Sequence, residues 1–297
     1  MQNFDYIRVK SKDELSELLD KQNKEIKLLS GGTDLIPQLR EGKKDIEIIV
    51  DVKNINEMNE LSFDNTLGLY IGAAVSCLNI CQDVKVKTMY PGLIDAISLI
   101  GGVQIQGRAS VGGNLCNSSP AADSIPALIV HKSICIIESK DGIREVPVEQ
   151  FCTGPGKNVL NKNEFLAGIR VPKVDPEFGA AYLRFIPRNE MDIAVVGVGA
   201  SVEIKEGHIT TARLALGAVD ATPRYFDDVF EPLLGMAIND ENLDRILDDI
   251  GQSISTRINP ITDMRGSAEQ RKHLSKVLTK RTLLKAIERA SNQQEVN

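Results

Sequence analysis

Leu29-Ser30-Gly31-Gly32-Thr33-Asp34-Leu35-Ile36 and Ser110-Val111-Gly112-Gly113-Asn114-Leu115 are two double-glycine turns in one chain, and their reading decides what the chain folds around. Glycine lets the backbone turn sharply and brings its N–H groups close to a ligand with no β-carbon in the way. A turn that feeds a helix start adds unpaired N–H donors and the positive end of the helix dipole, a combination suited to a diphosphate. One such turn is an ordinary bend. Two, each flanked by Thr, Ser, Asn or Asp, suit a single extended dinucleotide. Neither fits Gly-x-Gly-x-x-Gly or Gly-x-x-x-x-Gly-Lys, which argues against a nicotinamide Rossmann domain and a P-loop.

The segments around the first turn read as a compact β–α–β unit. Ser11-x-x-Glu14 ahead of Leu15, Leu18 and Leu19 has the form of a capping box opening an amphipathic helix. Glu25–Leu29 reads as a strand, Thr33 or Asp34 as the cap of a short helix, and Ile46–Val52 as the next strand. Farther on, Leu69–Ala74 predicts a strand running into a helix capped by Ser76, and Tyr90–Ile100 predicts another helix. The second glycine pair lies in the stretch Gly101–Asp123, which is rich in Gly, Ser, Asn and Gln. A structureless run of that length in a compact domain points to function. A helix over Ile125–Val130 and a strand over Ile134–Glu138 follow.

Composition changes at Val171-Pro172-Lys173-Val174-Asp175-Pro176, which marks a domain boundary. We expect domains over 1–175, divided near residue 55, and over 176–290. In the second, Ala180–Pro187, Ile193–Ile204 and His208–Val219 read as three consecutive strands, the last two joined by Lys205-Glu206-Gly207 as an antiparallel hairpin. Amphipathic helices over Glu241–Ile250 and Ala268–Ala290 complete a small α+β unit.

The chain has 297 residues, 35 Lys and Arg against 41 Asp and Glu, and 42% hydrophobic residues. That profile is globular rather than disordered. The acidic balance, with five Tyr, eight Phe and no Trp, argues against a nucleic-acid partner. No apolar run approaches the roughly 20 residues of a membrane helix. The polar start MQNFDYIRVK lacks the apolar core of a secretion signal, so five reduced thiols in a cytoplasm are expected. Cys77, Cys81, Cys116, Cys135 and Cys152 lack cluster or zinc spacing, and His131, His208 and His273 are isolated. No metal site is expected in this chain, and Lys276–Lys280–Arg281–Lys285 reads as a solvated helix face.

The two turns, continued through Cys116-Asn117-Ser118-Ser119-Pro120-Ala121-Ala122-Asp123, resemble the FAD-binding subunit of the xanthine dehydrogenase family, the molybdenum hydroxylases. The resemblance extends to Glu164-Phe165-Leu166, Ile169-Arg170-Val171-Pro172, Arg184, Asp192-Ile193-Ala194 and Asp263-Met264-Arg265-Gly266-Ser267-Ala268-Glu269, nearly the whole chain in order. It implies an α+β fold. A two-subdomain FAD-binding domain of the vanillyl-alcohol-oxidase (PCMH) type would precede a small three-stranded antiparallel sheet with helices. It also implies that Leu29 to Ile36 and Ser110 to Asn114 wrap the FAD diphosphate, that Asp123 bonds a cofactor hydroxyl, and that Ile100 or Gly101 packs the adenine. Leu166 and Arg184 would touch the flavin. Two departures are visible: Gln106 stands where many relatives carry Arg, and Ile100 where some have an aromatic ring.

The implied role is electron transfer in a larger complex. Substrate, an N-heteroaromatic such as nicotinate or a purine, would be oxidised at a molybdopterin-bound molybdenum on a large partner subunit. Electrons would then pass through [2Fe-2S] clusters on a small partner to FAD here, and on to NAD(P) or another acceptor. Thr33-Asp34 and Asn114 resemble the xanthine and nicotinate branch more than carbon monoxide dehydrogenases. No acid–base dyad for substrate chemistry is expected in this chain. Two rival readings are a self-sufficient flavin oxidase with its own substrate pocket and a non-enzymatic nucleotide-binding module.

Overall fold

The protein, a computed structural model, is described over residues 3–21, 24–42, 46–188 and 191–294. Its strands fall into three principal sheets. The first holds β1 (Asp5–Arg8), β2 (Ile26–Leu29) and β3 (Ile48–Asp51), all parallel in the order β1-β3-β2. Helices α1 (Lys12–Lys21) and α2 (Leu35–Arg40) make the crossovers. All four residues of β3 are buried, as a central parallel strand covered on both faces requires. Ser11 caps α1 as expected, with Glu14 N donating to Ser11 Oγ (3.1 Å), but Glu14 Oε2 accepts from Lys10 N (2.7 Å) one residue before the cap. β2 is left at an edge of this sheet.

The second sheet is antiparallel. It contains β4 (Leu61–Asp64), β5 (Gly68–Gly72), β6 (Ile134–Ser139) and β7 (Gly142–Pro147). A short ribbon of β8 (Cys152–Gly154) and β9 (Lys157–Asn158) precedes β10 (Phe165–Val171), which inserts at the centre to give β4-β5-β10-β6-β7. Between β5 and β6 run α3 (Cys77–Gln82), α4 (Val84–Met89), α5 (Pro91–Ile97), α6 (Val103–Gln106), α7 (Val111–Asn117) and α8 (Ser124–Val130), and α9 (Val148–Phe151) follows β7. The stretch Gly101–Asp123 is therefore not structureless. Its small residues hide two short helices, because apolar periodicity needs more turns than four or seven residues provide. Gln106 is buried and donates from Nε2 to Ser98 O (2.6 Å), fastening this stretch to the end of α5.

The third sheet comprises β11 (Phe178–Phe185), β12 (Val196–Lys205), β13 (His208–Gly217) and β14 (Arg224–Phe226), antiparallel and in chain order. The expected hairpin is present, with Lys205 opposite His208. The sheet also carries a fourth strand: β14 pairs Leu214 with Phe226 and is too short to show alternation. Helices α10 (Leu243–Arg257) and α11 (Ala268–Gln294) cover one face of this sheet. The basic run on α11 is not a free face. Lys280 Nζ pairs with Asp244 (2.8 Å) and Asp248 (2.7 Å) of α10, and Lys285 Nζ reaches Asp95 of α5 (3.2 Å). Asp95 also receives Arg289 Nη1 (2.5 Å) and Tyr182 N (3.1 Å), so one carboxylate ties α5, β11 and α11 together.

Two large buried clusters result. One spans the first two sheets and the helices between them, and the other fills the space between the third sheet and α10–α11. No helix among the described residues is long and apolar enough to cross a membrane.

Candidate functional site

The two glycine turns meet. Ser30 Oγ lies 2.9 Å from Ser110 Oγ. A β-carbon on Gly31 would stand 2.1 Å from the carbonyl oxygen of Arg108, so only glycine permits this approach. On the first side, β2 is held to β3 up to Leu29, whose carbonyl accepts from Val52 N (3.2 Å). The chain then bends at Ser30–Gly31 and enters α2 behind Asp34, with Ile36 N bonded to Gly32 O (3.0 Å). On the second side, Ser110 caps α7 by accepting from Gly113 N (3.0 Å). A β-carbon on Gly112 would lie 2.4 Å from Ala73 O, so α7 sits directly on the end of β5.

Between the turns runs a crevice of about 460 Å³, within the size range of small-molecule and cofactor sites. Ser30, Gly31, Gly32, Thr33, Asp34, Leu35, Ile100, Ser110, Gly112, Gly113, Asn114 and Leu166 line it, as the sequence reading leads one to expect. Leu29 and Val111 instead stand behind the wall in the core, Ile36 is 38% exposed on α2, and Gly101 lies one residue beyond the lining residue Ile100.

Asp123 and Arg184 form a separate buried cluster next to the crevice. Arg184 Nη1 donates to Asp123 Oδ2 (2.7 Å), and Tyr182 OH donates to Asp123 Oδ1 (2.7 Å). Burial raises the Asp123 carboxyl to about 6, against the lowering pull of the Arg184 cation and the tyrosine hydrogen bond. The neighbouring Ser124 Oγ donates to Asn114 Oδ1 (2.6 Å), which joins this cluster to the crevice wall. Arg184 Nε is buried and has no hydrogen-bond partner among the described residues. It is a donor still available beside the site.

A third wall was only partly read from the sequence. Asn158, Leu160, Asn161, Lys162 and Glu164 face the turns from the loop between β9 and β10. Glu164 accepts from Arg144 Nε (2.7 Å), Arg144 Nη2 (2.7 Å) and Asn161 N (2.8 Å), while Arg144 Nη2 also donates to Val159 O (3.0 Å). This fork holds the Glu164 carboxyl down at about 2. Of this wall the sequence reading had singled out Glu164, within the motif Glu164-Phe165-Leu166, but not its partner Arg144 on β7. The edge of β2, through Ile26, Lys27 and Leu28, supplies further lining. Backbone donors at two turns, small hydroxyls, and the aliphatic Ile100 and Leu166 are a lining suited to a diphosphate with an aromatic ring system beside it.

Residues 2–174 match the family described as the FAD binding domain in molybdopterin dehydrogenase, and residues 181–286 match the CO dehydrogenase flavoprotein C-terminal domain. The chain belongs to the FAD-binding subunits of the molybdenum hydroxylase family. This FAD-binding subunit is 31% identical over 266 residues to the xanthine dehydrogenase FAD-binding subunit of Escherichia coli O157:H7, across 89% of this chain and 90% of that one. It is 30% identical over 276 residues to the glyceraldehyde dehydrogenase medium chain of Sulfolobus acidocaldarius, across 93% and 95%. Among solved structures it matches carbon monoxide dehydrogenase from Hydrogenophaga pseudoflava with a TM-score of 0.89 and 27% identity, covering 97% of this chain and 98% of that one.

FAD, when bound, supplies the oxidation–reduction chemistry, and an FAD-binding subunit contributes its orientation and electrostatics. Cys116, at the crevice wall, has its pKa pushed up to about 12 by burial, and no group of three metal-ligating side chains occurs among the described residues.

Proposed function

We propose that this subunit holds FAD along the crevice with its pyrophosphate between the Ser30–Asp34 and Ser110–Asn114 turns, and relays electrons within a heteromeric molybdenum hydroxylase. One observation carries the placement: the 2.9 Å contact between Ser30 and Ser110, which sets both backbone-lined turns at one end-to-end clamp. Gly31 and Gly113 bring main chain to the phosphates, Thr33 and Asn114 offer side-chain polar atoms, and Ile100 and Leu166 cover ring surface. Asp123 and Arg184, outside the lining but joined to Asn114 through Ser124, would then neighbour the cofactor. A buried cation there favours the anionic reduced ring.

In this reading electrons arrive from [2Fe-2S] clusters of a small partner subunit, after substrate oxidation on a molybdenum-bearing large subunit, and leave for NAD(P) or another acceptor. An N-heteroaromatic substrate, a purine or nicotinate, is favoured by the likeness to a xanthine dehydrogenase subunit. The units 1–175 and 176–290 act together, because the crevice belongs to the first and Arg184 to the second.

Purification of the complex from its native host tests this directly. Bound FAD, molybdenum and iron with two co-eluting chains are expected. A yellow, iron-free and molybdenum-free single chain that reduces oxygen would overturn it in favour of a self-contained oxidase.

A further inference from the structure

We infer that Tyr182 is a positioning residue that holds the Asp123 carboxylate against Arg184 and thereby sets the charge presented to the cofactor. This rests on the reading that Asp123 and Arg184 face bound FAD.

The geometry is specific. Tyr182 is 2% exposed, and its ring belongs to the buried cluster of the first two sheets although its strand, β11, belongs to the third. Its backbone N donates to Asp95 Oδ2 (3.1 Å), so the residue is fixed at both main chain and side chain. The hydroxyl reaches Asp123 Oδ1 at 2.7 Å, while Arg184 Nη1 occupies Oδ2 at 2.7 Å. Each carboxylate oxygen thus has its own donor. On the adjacent strand, a β-carbon at Gly197 would stand 2.2 Å from that hydroxyl, so the strand leaves room for it there. Arg184 is paired on one side only: its Nη1 also approaches Asp192 O (3.4 Å), and its Nε is buried without a partner among the described residues.

The consequence follows from charge. With the tyrosine donor in place, Asp123 keeps its negative charge and offsets the guanidinium. Without it, a carboxylate this buried takes up a proton more readily, and Arg184 is left as an uncompensated cation beside the crevice. A positive field stabilises the reduced, anionic ring over the oxidised one.

The test uses the full chain loaded with FAD and reads the midpoint potential spectroelectrochemically at pH 7, with FAD affinity and thermal unfolding in parallel. Tyr182→Phe is expected to raise the ratio of reduced to oxidised flavin at fixed potential about tenfold, or about 30 mV for a two-electron couple. Asp123→Asn is expected to raise it further and Arg184→Gln to lower it. Gly197→Ala, which crowds the hydroxyl without removing it, is expected to shift in the same direction as Tyr182→Phe and serves if that variant does not fold. Normal potentials in Tyr182→Phe and Gly197→Ala with shifted ones in Asp123→Asn and Arg184→Gln would overturn the tyrosine's role alone. Normal potentials in all four would overturn the placement of the cluster beside the cofactor, and the inference with it.

Discussion

Ser30 and Ser110, from segments that lie on different secondary-structure units, share a hydroxyl–hydroxyl hydrogen bond of 2.9 Å. That bond joins the two turns where they line the crevice. The Ser110 hydroxyl also caps α7 through Gly113 N. Its replacement by Ala is expected to cost about 1 kcal/mol of stability through the lost cap and to lower FAD affinity about tenfold. Ser30→Ala, which removes no cap, is expected to weaken FAD with little change in unfolding. Equilibrium flavin-fluorescence titration and urea denaturation separate the two effects.

Gly31 has less tolerance. A β-carbon there meets Arg108 O at 2.1 Å, a backbone atom that cannot swing aside. Gly31→Ala is expected to spread the turns and yield protein with substoichiometric flavin, read as the ratio of flavin absorbance to protein. A fully loaded Gly31→Ala protein would refute the shared clamp.

The Arg144–Glu164 fork predicts an acid limb in stability. The Glu164 carboxyl is held at about 2, below its ordinary 4.5, so its contribution is complete above about pH 4.5 and disappears as the pH falls towards 2. Arg144 is 40% exposed, and solvent screening reduces the effect to about 1 kcal/mol. Arg144→Met is expected to flatten the pH 2–4.5 slope of the denaturation midpoint. The same variant is expected to loosen the loop 158–164 and weaken FAD binding several-fold.

His131 predicts a second limb at higher pH. Its ring is buried between Tyr90 (6.1 Å) and Phe178 (5.4 Å), with Nδ1 2.7 Å from Ala127 O. Burial lowers its pKa from 6.5 to about 4, so the folded state prefers the neutral ring. Stability is then complete above about pH 6.5 and is lost as the pH falls through 4, by up to roughly 3 kcal/mol from linkage. Asp123, raised from 3.8 to about 6, acts with the opposite sign and loses stability as pH rises across that interval. The difference between wild type and His131→Phe isolates the histidine. The variant is expected to lose the slope between pH 4 and 6.5 that belongs to His131.

Asp95 gathers Lys285, Arg289 and Tyr182 N at one partly buried carboxylate. Asp95→Ala strands two cations at the junction of α5 and α11, at an expected cost of about 2–3 kcal/mol. Denaturant unfolding of the full chain reads it. A change below about 0.5 kcal/mol would mean the junction is held by apolar packing alone.

Much of this was legible beforehand for local reasons. The glycine pairs, the Ser11 and Ser76 caps and the hairpin at Glu206–Gly207 are written in neighbouring residues, and the structure forms each of them. What stayed hidden is nonlocal. Nothing near Asn158–Glu164 announces Arg144, and nothing near Lys280 or Lys285 announces Asp244, Asp248 or Asp95, because these pairs exist only once the chain has folded. β14 and α6 were too short for any periodicity to register. The likeness to a known family pointed to Asp123 and Arg184, whereas Tyr182 emerged only from the sheet register that sets it beside them.

The crevice walls come from three stretches far apart in the chain, and the latest of them, at Asn158–Leu166, is also the one clamped from β7. A nascent chain on the ribosome therefore cannot close the third wall of the crevice until more than half of it has emerged. With FAD seated in this crevice, full loading would follow the making of that wall, and a ligand that binds the folded chain alone opposes its unfolding. Cells short of riboflavin should accumulate less of this subunit even when its transcript is unchanged.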